Sequence, residues 1–229
     1  MTASGTWAFD LDLAEIMEEA YERIDKELRT GYDYKTARRS LDLLMLEWQN
    51  KGLNLWTVKS ASETLVAGTA SYALSAEKLD IIEGMIRTDA GDVTKQTDIH
   101  MRRISVSSYA QQTNKLSTGR PIQYFIEKSP AGMTVYMWPV PDAGTTYTFH
   151  YYYMERVEDT GKPGSNTIDV PARFLPALTA GLAYYLAMKT PSASAKVPML
   201  KGIYDEQWNL AADSAREKAS LFIVPGGYA

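Results

Sequence analysis

A chain of 229 residues is long enough to bury a substantial core without disulfides or a structural metal, and its length suits one large domain or two smaller, interleaved ones. Its 24 Lys and Arg stand against 28 Asp and Glu for a formal charge of −4, and no run of cations is longer than Arg38-Arg39 or Arg102-Arg103, which argues against a dedicated nucleic-acid binder that grips many phosphates. The absence of cysteine removes disulfides, thiolate nucleophiles and cysteine-based zinc sites, and is compatible with a reducing compartment.

The opening MTASGTWAFDLD lacks a basic start followed by an apolar stretch, so no signal peptide is expected. Asp12 followed by Glu15 then resembles a capping box, and Leu13, Ile16, Met17, Ala20, Ile24 and Leu28 recur at helical spacing. Glu15, Glu18, Glu19, Glu22 and Lys26 on the other side read as a solvated helix face rather than a metal site. After Thr30-Gly31 a second helix opens near Asp33, with Ala37, Leu41, Leu44, Met45 and Trp48 on one side, and the short turn predicts a helix hairpin with a shared apolar seam. Asn50-Lys51-Gly52 supplies a left-handed residue to end that helix, and Leu55-Trp56-Thr57-Val58 has strand composition.

A sheet domain is expected over residues 53–170. Its candidate strands are Tyr72 to Leu74, Leu79 to Arg87, Ile122 to Glu127, Met133 to Trp138 and Thr145 to Tyr153. The clearest pair is MTVYMW and TYTFHYYYM, separated by PVPDAGT, where two prolines, Asp142 and Gly144 mark a reversal. Tyr147, Phe149, Tyr151 and Tyr153 share one strand face by period two and read as sheet core or a protein interface; a stacking platform for bases or sugars is the competing reading. TDAGDVT at 88–94 predicts a protruding hairpin tip, the kind of feature that reaches a neighbour, and it makes Asp89 and Asp92 partner-binding candidates. SVSSYAQQTN at 105–114 reads as a short helix.

EDTGKPGSNTID is a loop by composition. Pro171 then starts a third helix with Phe174, Leu175, Leu178, Leu182 and Tyr185 on its buried face, and Pro176 is expected to divide a first tight turn from the helix proper. ALTAGLAYYLAM at 177–188 falls short of the roughly 20 apolar residues that span a bilayer, so no membrane partner is expected. A fourth helix runs from near Pro198 through Leu200, Ile203, Tyr204, Gln207, Ala211, Ala215 and Ala219. The tail LFIVPGGYA is too apolar for a solvated end, which nominates Phe222, Ile223, Val224 and Tyr228 as docking residues. The pieces assemble as an α+β fold: a four-helix bundle made of residues 1–52 and 171–229, with an antiparallel β domain inserted between its halves.

Motifs for chemistry are missing. The two histidines, His100 and His150, have no metal-ligand spacing; there is no P-loop, GxGxxG or GxSxG; and Asp98 beside His100 is a dyad in sequence alone. No catalytic, metal or cofactor site, and no enzyme, is expected.

The order of segments resembles the head-to-tail adaptor proteins of short-tailed bacteriophages, the tail tubular protein A kind and related packaged-DNA stabilisation proteins. The resemblance runs from Leu13 to Ala219. It rests on a W-x3-G-L-N-L-W junction (Trp48, Gly52, Leu53, Asn54, Leu55, Trp56), a G-R-P-x-x-Y element (Gly119, Arg120, Pro121, Tyr124), a W-P-x-P-D turn (Trp138, Pro139, Pro141, Asp142) and an I-D-V-P-x-R-F helix start (Ile168 to Phe174). Pro176 departs from that pattern, where an ordinary helix former is expected. The resemblance implies a structural virion protein made in the host cytoplasm and located at the head-tail junction. It implies a ring, dodecameric, that joins portal protein to tail nozzle protein and lines or seals the DNA exit channel, letting double-stranded DNA pass without specific binding. The alternative is a carbohydrate- or nucleic-acid-binding module that uses the Tyr147 to Tyr153 row.

Overall fold

Helix α1 (Leu13–Glu22) starts where Asp12 is extended and the Glu15 carboxylate accepts from the Asp12 backbone N–H at 2.9 Å. The apolar spacing predicts that it continues to Leu28, but it stops six residues earlier. Asp25 adopts φ 54°, Lys26 N–H returns to the Tyr21 carbonyl at 3.0 Å, and the Lys196 ammonium donates to the Arg23 carbonyl at 3.3 Å while pairing with Asp25. A left-handed aspartate and a lysine on the last carbonyls end a helix as surely as glycine does. Helix α2 (Gly31–Asn50) begins with a reciprocal cap, in which Thr30 Oγ1 accepts from Asp33 N–H and the Asp33 carboxylate accepts from Thr30 N–H, both at 3.2 Å. It ends before Gly52, whose φ of 121° is the left-handed turn expected there.

The computed structural model describes residues 11–52, 55–160, 168 and 170–215. They divide into two units, one gathering residues up to Leu55 with those from Val157 onward, the other comprising Trp56–Arg156. Among the described residues the fold is α+β, with five α-helices and several sheets.

Leu55–Thr57 forms a 3-10 turn rather than the start of a strand. The strand begins afterwards as β1 (Val58–Thr64), whose sequence VKSASET hides it because only Val58 and Ala61 are apolar and none of its residues is fully buried. There follow β2 (Ser71–Leu74), β3 (Lys78–Thr88), β4 (Thr97–His100), β5 (Arg102–Arg103), the short helix α3 (Val106–Ala110), β6 (Thr118–Gly119), β7 (Gln123–Ser129), β8 (Gly132–Trp138), β9 (Val140–Pro141) and β10 (Tyr147–Glu155). They form one sheet in the order β1-β10-β3-β4, a second in the order β2-β8-β7-β5 and a small pair, β6-β9. Ladders are antiparallel except for the short parallel pairs β5-β7 and β6-β9.

The two strands read as the clearest pair do not pair with each other. β8 lies between β2 and β7, and β10 lies in the other sheet between β1 and β3. Pro139 and Pro141 offer no N–H to continue a hairpin ladder, and the segment between the strands pairs with β6, so it carries the chain from one sheet to the next. Inward residues of both sheets then make one core, including Ile81, Ile86, Tyr124, Val135, Met137 and the β10 aromatics. Gly84 lets these rings close up, since a Cβ there would lie 2.6 Å from Phe149 Cε2 and 3.1 Å from Tyr124 Cε1.

In the other unit a 3-10 turn over Ala172–Phe174 leads into α4 (Leu175–Ala187), and Pro176 sits in its first turn, where no N–H is needed. Residues on nearly every side of α4 are buried, from Ala177 and Leu178 through Gly181, Leu182 and Ala183 to Leu186, so it is a central helix rather than one with a single apolar face. It contacts α1, α2 and the last helix, α5 (Val197–Ser214). Close approach is set at Gly181, where a Cβ would stand 2.8 Å from Leu44 Cδ2 and 3.0 Å from Tyr204 Cε2.

Gly181→Ala is therefore expected to destabilise the protein: overpacking costs about 1–3 kcal/mol, against about 1 kcal/mol gained in helix propensity. Gly202→Ala in α5, where nothing lies within 4 Å of the new methyl, is expected to stabilise it by up to about 1 kcal/mol. Denaturant midpoints for the two variants measure both effects, and equal midpoints contradict the packing described.

Candidate functional site

The nominated docking residues Phe222, Ile223, Val224 and Tyr228 lie outside the described residues. Asp89 and Asp92 lie at the turn between β3 and β4. Asp89 takes φ 50° and Gly91 φ 91°, which tightens the turn. Asp92 Oδ1 accepts from the Thr94 N–H at 2.9 Å and the Thr94 hydroxyl at 2.7 Å, so one of its oxygens already holds the turn's own shape.

The structure brings the four signature stretches together in pairs. In the helical unit Trp48 is buried and its ring centroid is 5.7 Å from that of Phe174, with Trp208 4.8 Å from Trp48 and 5.7 Å from Phe174. The last turns of α2 and the turn that leads into α4 therefore meet in one aromatic cluster; Leu53, Asn54 and Asp169 lie outside the described residues. In the strand unit Thr118 and Gly119 pair with Val140 and Pro141, which joins the G-R-P-x-x-Y element to the W-P-x-P-D turn. Trp138 Nε1 donates to the Asn114 carbonyl at 3.0 Å. Asp142 Oδ1 accepts from Gly144 N–H at 3.0 Å and from the Tyr147 hydroxyl at 3.3 Å. These motifs are joints that fix where the chain changes element.

Beside Trp48 lies a polar network that the apolar spacing of the sequence does not announce. Tyr204 OH accepts from Trp48 Nε1 and from Lys51 Nζ, each at 2.8 Å, and donates to Glu47 Oε1 at 3.0 Å, while Tyr185 OH donates to Glu47 Oε2 at 2.7 Å. The Lys51 ammonium also lies 2.9 Å from Glu47 Oε1 and over the rings of Tyr204 and Trp208. Burial by itself pushes the Glu47 carboxyl up. The hydrogen bonds from Tyr185 and Lys51, with the Lys51 charge, outweigh it and hold the group below its ordinary range. Burial and the adjoining carboxylate push both tyrosine hydroxyls upward. The signal for this network is the Glu47/Lys51 spacing of four on the turn that carries Trp48.

The aromatic row of β10 is core. Tyr147, Phe149, Tyr151 and Tyr153 are 7%, 1%, 1% and 7% exposed, so the alternative of a stacking platform for sugars or bases is overturned: the ring faces are spent on one another and on Tyr124. Burial raises the Tyr151 hydroxyl to about 12. Asp98 and His100 do not make a dyad. Asp98 is the register partner of Arg87 and takes both guanidinium bonds at 2.7 Å, whereas His100 is the register partner of Met85. Among the described residues, no group of three or more His, Asp or Glu is placed to hold a metal ion, and no helix is long and apolar enough to cross a membrane.

The Arg87 hydrogen bonds hold the Asp98 carboxyl below its ordinary 3.8. Because the folded value is the lower one, the stabilisation is complete above the unfolded value and disappears as pH falls through the folded one. Asp98→Asn is expected to lower stability at pH 7 by up to about 1 kcal/mol, a gap that closes in acid below 3.8. Urea unfolding of both proteins between neutral and acid pH measures it, and a gap independent of pH contradicts the assignment.

A family model described as SU10 adaptor protein matches residues 6–222 of the chain. No curated protein matches it. The matched span takes in all four signature stretches, both described units and the aromatic cluster at Trp48, so the chain belongs to the SU10 adaptor protein family and is a structural adaptor of bacteriophage virions.

Proposed function

We propose that this protein is a non-enzymatic head-to-tail adaptor whose copies close into a ring, dodecameric as the resemblance to short-tailed phage adaptors implies. The ring joins the portal protein above to the tail nozzle protein below and lines or seals the channel through which DNA leaves. The observation that carries this reading is the family match over residues 6–222. Composition supports it, because a formal charge of −4 without long cationic runs suits a wall that passing DNA does not adhere to. On this reading the four longer helices act as one bundle, with the strand unit inserted between its halves to meet a neighbouring copy or the nozzle. Subunits are made in the host cytoplasm and carried into the virion.

Phage made without this protein is expected to yield DNA-filled heads that carry no tail and lose their DNA. Electron micrographs of lysates from a deletion strain, with and without a complementing copy, give the answer; intact tailed particles without the protein contradict the proposal. The apolar C-terminus supplies the portal contact in this scheme, through Phe222, Ile223, Val224 and Tyr228. A chain ending at Ala219 is expected to lose binding to isolated portal rings, and undiminished binding removes the tail from the scheme.

A further inference from the structure

Among the described residues, the helical unit carries two pairs of like charges that make no ion pair: the one nearby cation, Arg23, is taken by Glu19. On α1, Glu18 and Glu22 stand four residues apart, exposed and without an ion pair among the described residues, whereas Glu19 is paired with Arg23 at 2.9 Å and Glu15 caps Asp12. Like charges at that spacing weaken a helix. They line an open groove of about 860 Å³, with Leu11 exposed at its α1 end and Ala172 and Pro176 exposed along its other wall.

The opposite charge collects where α2 meets the end of α4. Arg39 and Lys189 border a recess of about 520 Å³, and neither has an ion pair among the described residues. Burial and the Arg39 charge both lower the pKa of Lys189, whose ammonium donates to the buried Ser40 hydroxyl at 2.8 Å. The nearby carboxylate, Asp33, is committed to capping Thr30 and lies 3.7 Å from Lys26. Beside these cations Tyr32, Leu43 and Leu46 stand 73%, 52% and 53% exposed on the same side of α2 as Arg39, and Met188 is 51% exposed at the end of α4.

We infer that these two surfaces are complementary halves of one contact between copies of this chain, the basic, apolar stripe of α2 seating in the acidic, apolar groove between α1 and α4 of the next copy. Two different patches meeting on identical subunits make a head-to-tail contact, and such contacts close into rings when the rotation allows it. The contact neutralises Glu18 and Glu22 with Arg39 and Lys189 of the neighbour and covers Leu43 and Leu46 together with Leu11 and Pro176. This inference rests on the ring proposed above and names the surfaces that build it.

The absence of native cysteine makes the test direct. Two single-cysteine proteins, Glu18→Cys and Leu43→Cys, carrying different tags, are oxidised separately and as a mixture at rising concentration. A mixed disulfide dimer that forms much faster than either homodimer is expected. Homodimers formed as readily as the mixed species, or no disulfide up to the solubility limit, overturn the inference, the second pointing to a segment of the same chain filling the groove. Charge reversal gives an independent reading by sedimentation. The pairs Glu18→Lys with Glu22→Lys, and Arg39→Glu with Lys189→Glu, are each expected to weaken self-association about tenfold or more, and mixing the two proteins is expected to restore it. Restoration also shows that both variants are folded; self-association unchanged by either reversal overturns the inference. Normal tails in the deletion strain remove the adaptor reading, whereas tailless heads there combined with a missing mixed disulfide remove only this interface.

Discussion

The hydroxyl of Tyr204 is the point on which the helical unit depends. It accepts from Trp48 and Lys51 of α2 and donates to Glu47, so α5, near the end of the chain, is fixed to α2, near its beginning, by groups 156, 153 and 157 residues away. Tyr185 brings α4 into the same carboxylate, and the rings of Trp48, Phe174 and Trp208 close over the site. Apolar contact between helices is tolerant of rotation and sliding. Directional bonds to a buried hydroxyl are not, and an unsatisfied partner in such a place costs about 1–3 kcal/mol. This constraint selects one register of α2 against α5 and leaves the strand unit to be formed by the chain that runs between them.

What the sequence discloses and what it hides follow from range. Local chemistry is readable: the caps at Asp12 and Thr30, the left-handed Gly52, the tolerated Pro176 and the alternation of β10 all depend on neighbours within a few residues. The helix-strand-helix order therefore emerges, and with it the α+β class. Long-range choices are not readable in this way. β8 and β10 look like a hairpin because the segment between them has turn chemistry, yet the prolines in that segment deny a ladder and send β10 to the other sheet. β1 is invisible because its side chains are small or polar, and the end of α1 depends on a lysine from residue 196.

The signature stretches show why an adaptor can be recognised without any catalytic motif. Trp48 and Phe174 touch in one unit, and Gly119 and Pro141 pair in the other, so each element that looks isolated in the sequence is half of a joint. Such residues hold geometry rather than chemistry, and a structural role in a virion asks for that. Outward side chains carry the remaining information. The acidic face of α1 reads as a solvated surface, and the proposed contact gives it a partner in Arg39 and Lys189, which border a separate recess and make no ion pair among the described residues. A periodicity argument assigns those residues to solvent and cannot see which surfaces complement one another.

The central claim is that the two ends of the chain form one cooperative helical unit through Tyr204, while the strands between them are stabilised by their own core. Hydrogen exchange on Tyr204→Phe, compared with the unaltered protein, tests it most directly. Amide protection is expected to fall together in α1, α2, α4 and α5 and to stay unchanged in β3, β7, β8 and β10. Protection lost in α5 alone, or lost equally across helices and strands, would contradict the account.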